Sequence, residues 1–272
     1  SPTPAITRRF APGSEWLYLK LYTGASTADQ VLREVIGPLA QASQAAGLID
    51  QWFFLRYSDP DWHLRVRFHS PGGAQRLYAE FFPLLQAQMA PLLVDGRIWR
   101  VQLDTYEREV ERYGGANGVL LAEQLFHLDS EAATAIIEQL DGDAGEDARW
   151  RLALRSIDMT LNELGFNLAA KQRIMRTIRD AFAQEFHVDN AMRKQLSDKF
   201  RPERKNLELL LDPVQDAASP LAVGLTILHE RTRQSAPIIT ALQQRATAGH
   251  LTLSLAELAP SLLHMQVNRL LR

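Results

Sequence analysis

The chain has no cysteine. That removes disulfides, thiolate metal sites and cysteine nucleophiles, and it fits a reducing compartment such as the cytoplasm. No run of about 18 apolar residues occurs, so no membrane span is expected. The opening SPTPAITRRF lacks the apolar stretch of a signal peptide. Neither sign of charge dominates: 30 Lys and Arg stand against 32 Asp and Glu, a formal net charge of -2. A broad nucleic-acid-binding surface is therefore not expected, which leaves room only for a local basic cleft. There is no HExxH, no His/carboxylate cluster with metal spacing, no glycine-rich phosphate loop and no GxSxG elbow. Neither a metal hydrolase nor a nucleotide enzyme is supported, and no metal or cofactor is expected. What is present is ordinary for a globular protein: 272 residues, 46% hydrophobic and 23% charged. That is enough for one large domain or two small ones.

Residues 1–14, with three prolines and a glycine, read as an extended arm. From residue 15 the pattern alternates: Leu17, Leu19 and Leu21 face one way, and Trp16, Tyr18, Lys20 and Tyr22 the other, as in a strand. A helix over 29–46, capped by Ser26 or Thr27 and closed by Gly47, follows. QWFFLRY (51–57) is a second strand, Ser58-Asp59-Pro60-Asp61 a turn, and WHLRVRFH (62–69) a third strand. A helix over 74–93 with Leu77, Phe81, Leu84, Leu85 and Met89 inward precedes a fourth strand at 97–105. Strand, helix, strand, strand, helix, strand is the split βαβ, ferredoxin-like order, with both helices on one sheet face. After Tyr113-Gly114-Gly115 the period is helical throughout: helices are expected at about 117–127, 130–140, 145–164, 168–187, 190–211, 219–247 (kinked or split at Pro237) and 255–271. The expected class is α+β: a ferredoxin-like βαββαβ subdomain at 14–113, an all-helical subdomain at 114–272, and an active cleft between them.

The third strand carries the chemistry that stands out. Leu64, Val66 and Phe68 share one face; His63, Arg65, Arg67 and His69 share the other. Two guanidiniums about 7 Å apart repel, and an anion between them relieves that. The blander alternative is a solvated strand face. With Tyr18 and Lys20 beside them, however, the face is both basic and aromatic, and something is expected to cover it. Asp104 to Gly115 (DTYEREVERYGG) joins the two halves, and it reads either as a salt-bridged connector or as one wall of a cleft, its glycines permitting a sharp turn or a close approach. In the last helix His264 and Asn268 lie four apart on one face, opposite a stripe of Leu263, Val267, Leu270 and Leu271. That pair is either a poised imidazole or a satisfied polar contact.

Three segments together resemble one family: WFFLRYSDPDWHLRVRF (52–68), DTYEREVERYGG (104–115) and LLHMQVNRLL (262–271). In order and spacing, over nearly the whole chain, they are similar to the thiopeptide-type bacteriocin biosynthesis domain, the C-terminal glutamate-elimination domain of class I lantibiotic dehydratases, also found free-standing. The resemblance implies elimination of glutamate from glutamylated Ser or Thr of a precursor peptide, giving dehydroalanine or dehydrobutyrine. Carried over by motif, the catalytic residues would be Arg65, Arg67, His264 and a further arginine, Arg112 in preference to Arg108. Arg108, Tyr18, Lys20 and Asn268 would then bind substrate. This sequence carries no large glutamylation domain, so the resemblance also implies either a separate glutamyl-tRNA-dependent glutamylation protein as partner to supply the ester, or that this is an excised domain. Two alternatives stay open: a pyridine-forming formal [4+2] cycloaddition enzyme of thiopeptide biosynthesis, and a non-catalytic peptide-binding subunit.

Overall fold

The computed structural model describes residues 6–140 and 142–271. The first five residues of the expected arm lie outside these. The remainder of the arm holds a short strand, β1 (Arg9–Phe10), paired antiparallel with β6 (Tyr106–Glu107). The main sheet contains β2 (Trp16–Tyr22), β3 (Gln51–Tyr57), β4 (His63–His69) and β5 (Arg100–Asp104) in the order β3-β4-β2-β5, antiparallel throughout. Between β2 and β3 runs a helix of three pieces: α1 (Ala25–Val31), a π-helical stretch (Leu32–Ile36) and α2 (Gly37–Ala45). Between β4 and β5, α3 (Gly73–Arg76), a second π-helical stretch (Leu77–Phe81) and α4 (Phe82–Val94) do the same.

Alternation decides what each sheet face meets. Leu17, Leu19, Leu21, Leu64, Val66 and Phe68 are fully buried and pack with Val31, Leu32, Ile36, Leu77, Phe81 and Leu85 of the two crossover helices. Each such side chain contributes about 1.5–3 kcal/mol on burial. The same apolar cluster continues into Ala133, Ile136 and Ile137, then Leu152 and Leu225, so the sheet and the bundle share a core.

The helices of the second half are α5 (Ala116–Gln139), α6 (Gly142–Glu163), α7 (Leu168–Glu185), α8 (Asn190–Leu210), α9 (Ala222–Thr247) and α10 (Leu255–Leu270). Several expectations need correction. Helices expected at 117–127 and 130–140 are one, α5. Ser130 does not cap a second helix, because its hydroxyl donates back to the Phe126 carbonyl within the first. Pro237 does not split its helix, because it lies inside a continuous α9. Ser26 and Thr27 lie in the first turn of α1, whose N-cap is Gly24. Leu84 is exposed rather than inward, since the π-helical stretch before it rotates the later face of the helix. Ser254 and Glu257 do form the expected capping box.

Two buried ionic clusters tie the layers. Asp29 of α1 accepts from Arg56 of β3 at 2.5 Å and from Arg149 of α6. Burial alone would raise the Asp29 pKa, but the two guanidiniums outweigh it and hold the carboxyl at about 2. Arg231 of α9 bridges Asp129 of α5 at 2.9 Å and Glu163 of α6 at 2.5 Å.

The candidate active site

On the face of β4 opposite the core, Arg67 is buried. Its guanidinium carbon lies 4.4 Å from the centroid of the Tyr18 ring, 5.0 Å from Tyr106 and 5.2 Å from Phe53. The register produces this cage, because Tyr18 on β2 and Phe53 on β3 lie directly across from Arg67. Its Nε and Nη1 are buried without a hydrogen-bond partner. Two residues along, Arg65 stacks on Tyr57 at 3.4 Å and donates from Nε to His63 Nε2 at 3.1 Å. His63 Nδ1 lies 2.7 Å from the Asp61 carbonyl, so the proton sits on Nδ1 and the ring is neutral. Burial first, then the Arg65, Lys20 and Arg100 cations, lower its pKa. Among the described residues neither Arg65 nor Arg67 has a carboxylate within ion-pair distance.

The covering layer is the 104–115 segment, α5 and α10. Gly114 and Gly115 take φ of +81° and +84°, and a Cβ on Gly118 would lie 1.9 Å from the Tyr113 carbonyl oxygen. These glycines are therefore needed for a tight turn that swings the segment over the sheet. The cleft beneath it, open to solvent on one side, has a volume of about 600 Å3 and is lined by Arg65, Arg67, Arg112, His264, Tyr18, Lys20 and Asn268, with Tyr57, Tyr106 and Tyr113 among others. The structure thus brings the two strand arginines, Arg112 and the late histidine together. Arg112 donates to Glu109 at 3.1 Å and to Ser261 at 3.4 Å. His264 stays accessible to solvent, with its ring centroid 5.9 Å from that of Phe182. Partial desolvation first, then the Arg112 cation, lowers the His264 pKa, while Glu185 and Glu109 pull the other way. The net lowering favours the basic form of the imidazole, the form that can accept a proton.

Other expected members of the site have different surroundings. Arg108 does not face this cavity. It is clamped by Glu123 of α5, Nε to Oε1 at 2.6 Å and Nη2 to Oε2 at 2.8 Å, and it lies over the Phe10 ring at 4.7 Å. Tyr106 donates to the same carboxylate at 2.5 Å, so Arg108 positions the cavity wall from behind. Lys20 lines the cavity but is neutralised by Asp104 at 2.6 Å. Burial would raise the Asp104 pKa; the Lys20 hydrogen bond and the Thr105 amide lower it overall. Asn268 does not pair with His264. It accepts from the Arg56 amide at 2.8 Å and donates to the Arg56 carbonyl at 3.0 Å, fastening α10 to β3. Phe53, Tyr57, Tyr106 and Tyr113 were not anticipated. For Phe53 and Tyr57 the signal was available, since both share the parity of the face that meets Arg65 and Arg67 across β3 and β4.

A family model described as "Lantibiotic biosynthesis dehydratase C-term" matches residues 16–272. The chain belongs to this lantibiotic dehydratase C-terminal family. Among curated relatives, the subtilin biosynthesis protein SpaB of Bacillus subtilis is 35% identical over 130 residues, covering 46% of this chain and 12% of SpaB. The nisin biosynthesis protein NisB of Lactococcus lactis subsp. lactis is 32% identical over 128 residues, again 46% and 12%. The chain is thus about an eighth matched to the length of these relatives. Among solved structures, the tRNA-dependent lantibiotic dehydratase MibB from Microbispora sp. 107891 superposes with a TM-score of 0.75 and 25% identity, over 98% of this chain and 27% of MibB. The pyridine synthase TbtD from thiomuracin biosynthesis has a TM-score of 0.68 at 14% identity, over 94% and 92% of the two chains, a likeness of fold.

Proposed function

We propose that this chain is the glutamate-eliminating lyase of a lantibiotic- or thiopeptide-type pathway, acting on glutamylated Ser or Thr of a precursor peptide. One observation carries the reading: two guanidiniums without carboxylate partners, Arg65 and Arg67, share a cavity with His264, whose pKa is lowered by partial burial and the Arg112 cation. A site built in this way stabilises negative charge and takes up a proton, which is what β-elimination requires. His264 removes the α proton of the glutamylated residue. The electron pair becomes the new C=C bond as the Cβ–O bond breaks, and glutamate departs as a carboxylate. Charge building on the carbonyl oxygen of the enolate-like transition state is met by Arg67 or Arg65, with about 3 kcal/mol expected per positioned donor. Arg112 holds the free carboxylate of the glutamyl group, a charge-assisted contact suited to a guanidinium. Tyr18 supports Arg67 from below. The functional division falls at 113/114, with catalysis in the cleft between the sheet half and the helical half. The glutamyl ester is supplied by a glutamyl-tRNA-dependent partner in the same, cytoplasmic compartment.

The family and the likeness to MibB support this reading. The fold likeness to TbtD favours a second: a formal [4+2] cycloaddition on a peptide already carrying two dehydroalanines. Such a substrate offers no glutamate carboxylate for Arg112 to hold, and the unpaired arginines favour elimination. Mass spectrometry of a glutamylated precursor peptide incubated with the purified chain separates them. Loss of the glutamyl mass with formation of a dehydro residue is expected. Unchanged peptide, with turnover of a bis-dehydroalanine substrate, would replace this reading with the second. Binding without any turnover would leave a peptide-docking subunit.

A further inference from the structure

The sheet has two edges, β3 and β5, and they are treated differently. Along β3, every second residue is stoppered by a side chain from the helical layer. His127 Nδ1 lies 3.4 Å from the Trp52 amide nitrogen and 3.1 Å from its carbonyl oxygen. Ser130 Oγ accepts from the Phe54 amide at 3.2 Å. Asn268 accepts from the Arg56 amide and donates to its carbonyl. No strand can add there. Along β5 no such stoppers occur among the described residues, and all its residues are exposed or half-exposed. Trp99, just before it, and Leu103, within it, are large apolar residues at 53% and 40% exposure.

An open edge presents backbone N–H and C=O groups, and the ligand chemistry that satisfies them is another extended backbone. The direction of β5 says which. Its last residue, Asp104, and the following Thr105 line the active cavity. A strand laid along β5 is therefore delivered into the site. Its length also argues against a second copy of the chain as occupant: β5 is short and carries Arg100 and Asp104, the charged, abbreviated form of edge that discourages self-pairing.

We propose that the outer edge of β5 receives the substrate peptide as an added β-strand, the residues flanking the glutamylated Ser or Thr pairing with 100–104 while the adduct enters the cavity. Backbone pairing of this kind tolerates many side chains, and Trp99 and Leu103 add a preference for apolar or β-branched residues on one face of the peptide. The proposal rests on the peptide-substrate reading above.

The test uses the whole chain and a fluorescein-labelled peptide of alternating Thr and Val. Its central residue is 2,3-diaminopropionate acylated by glutamate, an amide that resists elimination. A set of probes carries one backbone N-methyl group each, stepped along the peptide, and binding is followed by anisotropy. A period of two is expected: N-methylation at alternate positions weakens binding about tenfold or more, whereas the intervening positions change it less than about twofold. Amide hydrogen exchange should slow at 100–104 on adding the probe and stay unchanged at 51–57. A flat N-methyl profile, no binding, or protection elsewhere without 100–104 overturns the proposal. Protection of 100–104 that grows with protein concentration in the absence of probe assigns the edge to a second copy and also overturns it. If the chain leaves a glutamylated ester peptide unreacted while the alternating profile persists, the lyase reading fails and the docking edge stands.

Discussion

Replacing Arg67 with methionine should move stability and activity in opposite directions. In the folded protein the Arg67 guanidinium has three aromatic rings within 5.2 Å, two buried nitrogens without hydrogen-bond partners and no carboxylate. The cation–π contacts contribute about 2 kcal/mol when desolvated. Against this, a buried cation without a counter-ion carries a desolvation cost of several kcal/mol, and apolar replacement of buried ionic groups is often neutral or stabilising by about 1–4 kcal/mol. Methionine fills much of the same cage and packs well against aromatic rings. Arg67→Met is therefore expected to unfold at the same or a higher denaturant concentration than the parent, with a gain of about 0–3 kcal/mol. Elimination, followed by mass spectrometry of the glutamylated peptide, should fall about 10²–10³-fold through loss of a positioned donor. Such opposed signs mark a group kept for its ligand at the expense of the fold. A loss of more than about 2 kcal/mol on unfolding would make Arg67 a structural residue. Turnover within about tenfold of the parent would remove it from the chemistry, whatever the stability.

Arg108→Met is the contrasting case: it leaves Glu123 buried without its cation and should cost about 3–5 kcal/mol in denaturant unfolding. Because burial and Arg112 depress the His264 pKa, the basic form persists below the ordinary histidine range; the acid limb of kcat/KM should therefore lie below pH 6.5, and Arg112→Met should shift it upward. Asp29, at about 2 when folded, contributes stability that is fully present above its unfolded value near 3.9 and is lost as pH falls through 2. Acid titration of the unfolding free energy should show a step of about 2–3 kcal/mol from this group, absent in Asp29→Asn, which itself loses about 3–5 kcal/mol at neutral pH. Asn268→Ala removes the two hydrogen bonds that Asn268 makes to the Arg56 backbone and should cost about 1–3 kcal/mol, with faster amide exchange at Arg56 and slower elimination as α10 loosens.

The amino-acid sequence by itself determined the sheet half of this protein. Leucines at 17, 19 and 21 and the Leu64-Val66-Phe68 series have a period that only a strand with one buried face satisfies, and that period put Arg65 and Arg67 together on the other face. The capping box at Ser254 and the left-handed glycines that close helices, Gly165 at φ +85° and Gly249 at +68°, are equally local. Choices between chemically equivalent residues were settled only by tertiary packing. Arg108 and Arg112 sit in one charged run, and no local pattern separates them. Glu123, on the next helix, captures one, and the turn at Gly114-Gly115 carries the other to the cavity. Asn268 likewise shares a helical face with His264, yet the nearness of the β3 edge gives it a backbone to bind instead. Helical and strand periods are written in neighbouring residues, so they can be read in order along the chain. Which side chain meets which across layers depends on how elements distant in sequence are brought within a few ångströms, and no period records that.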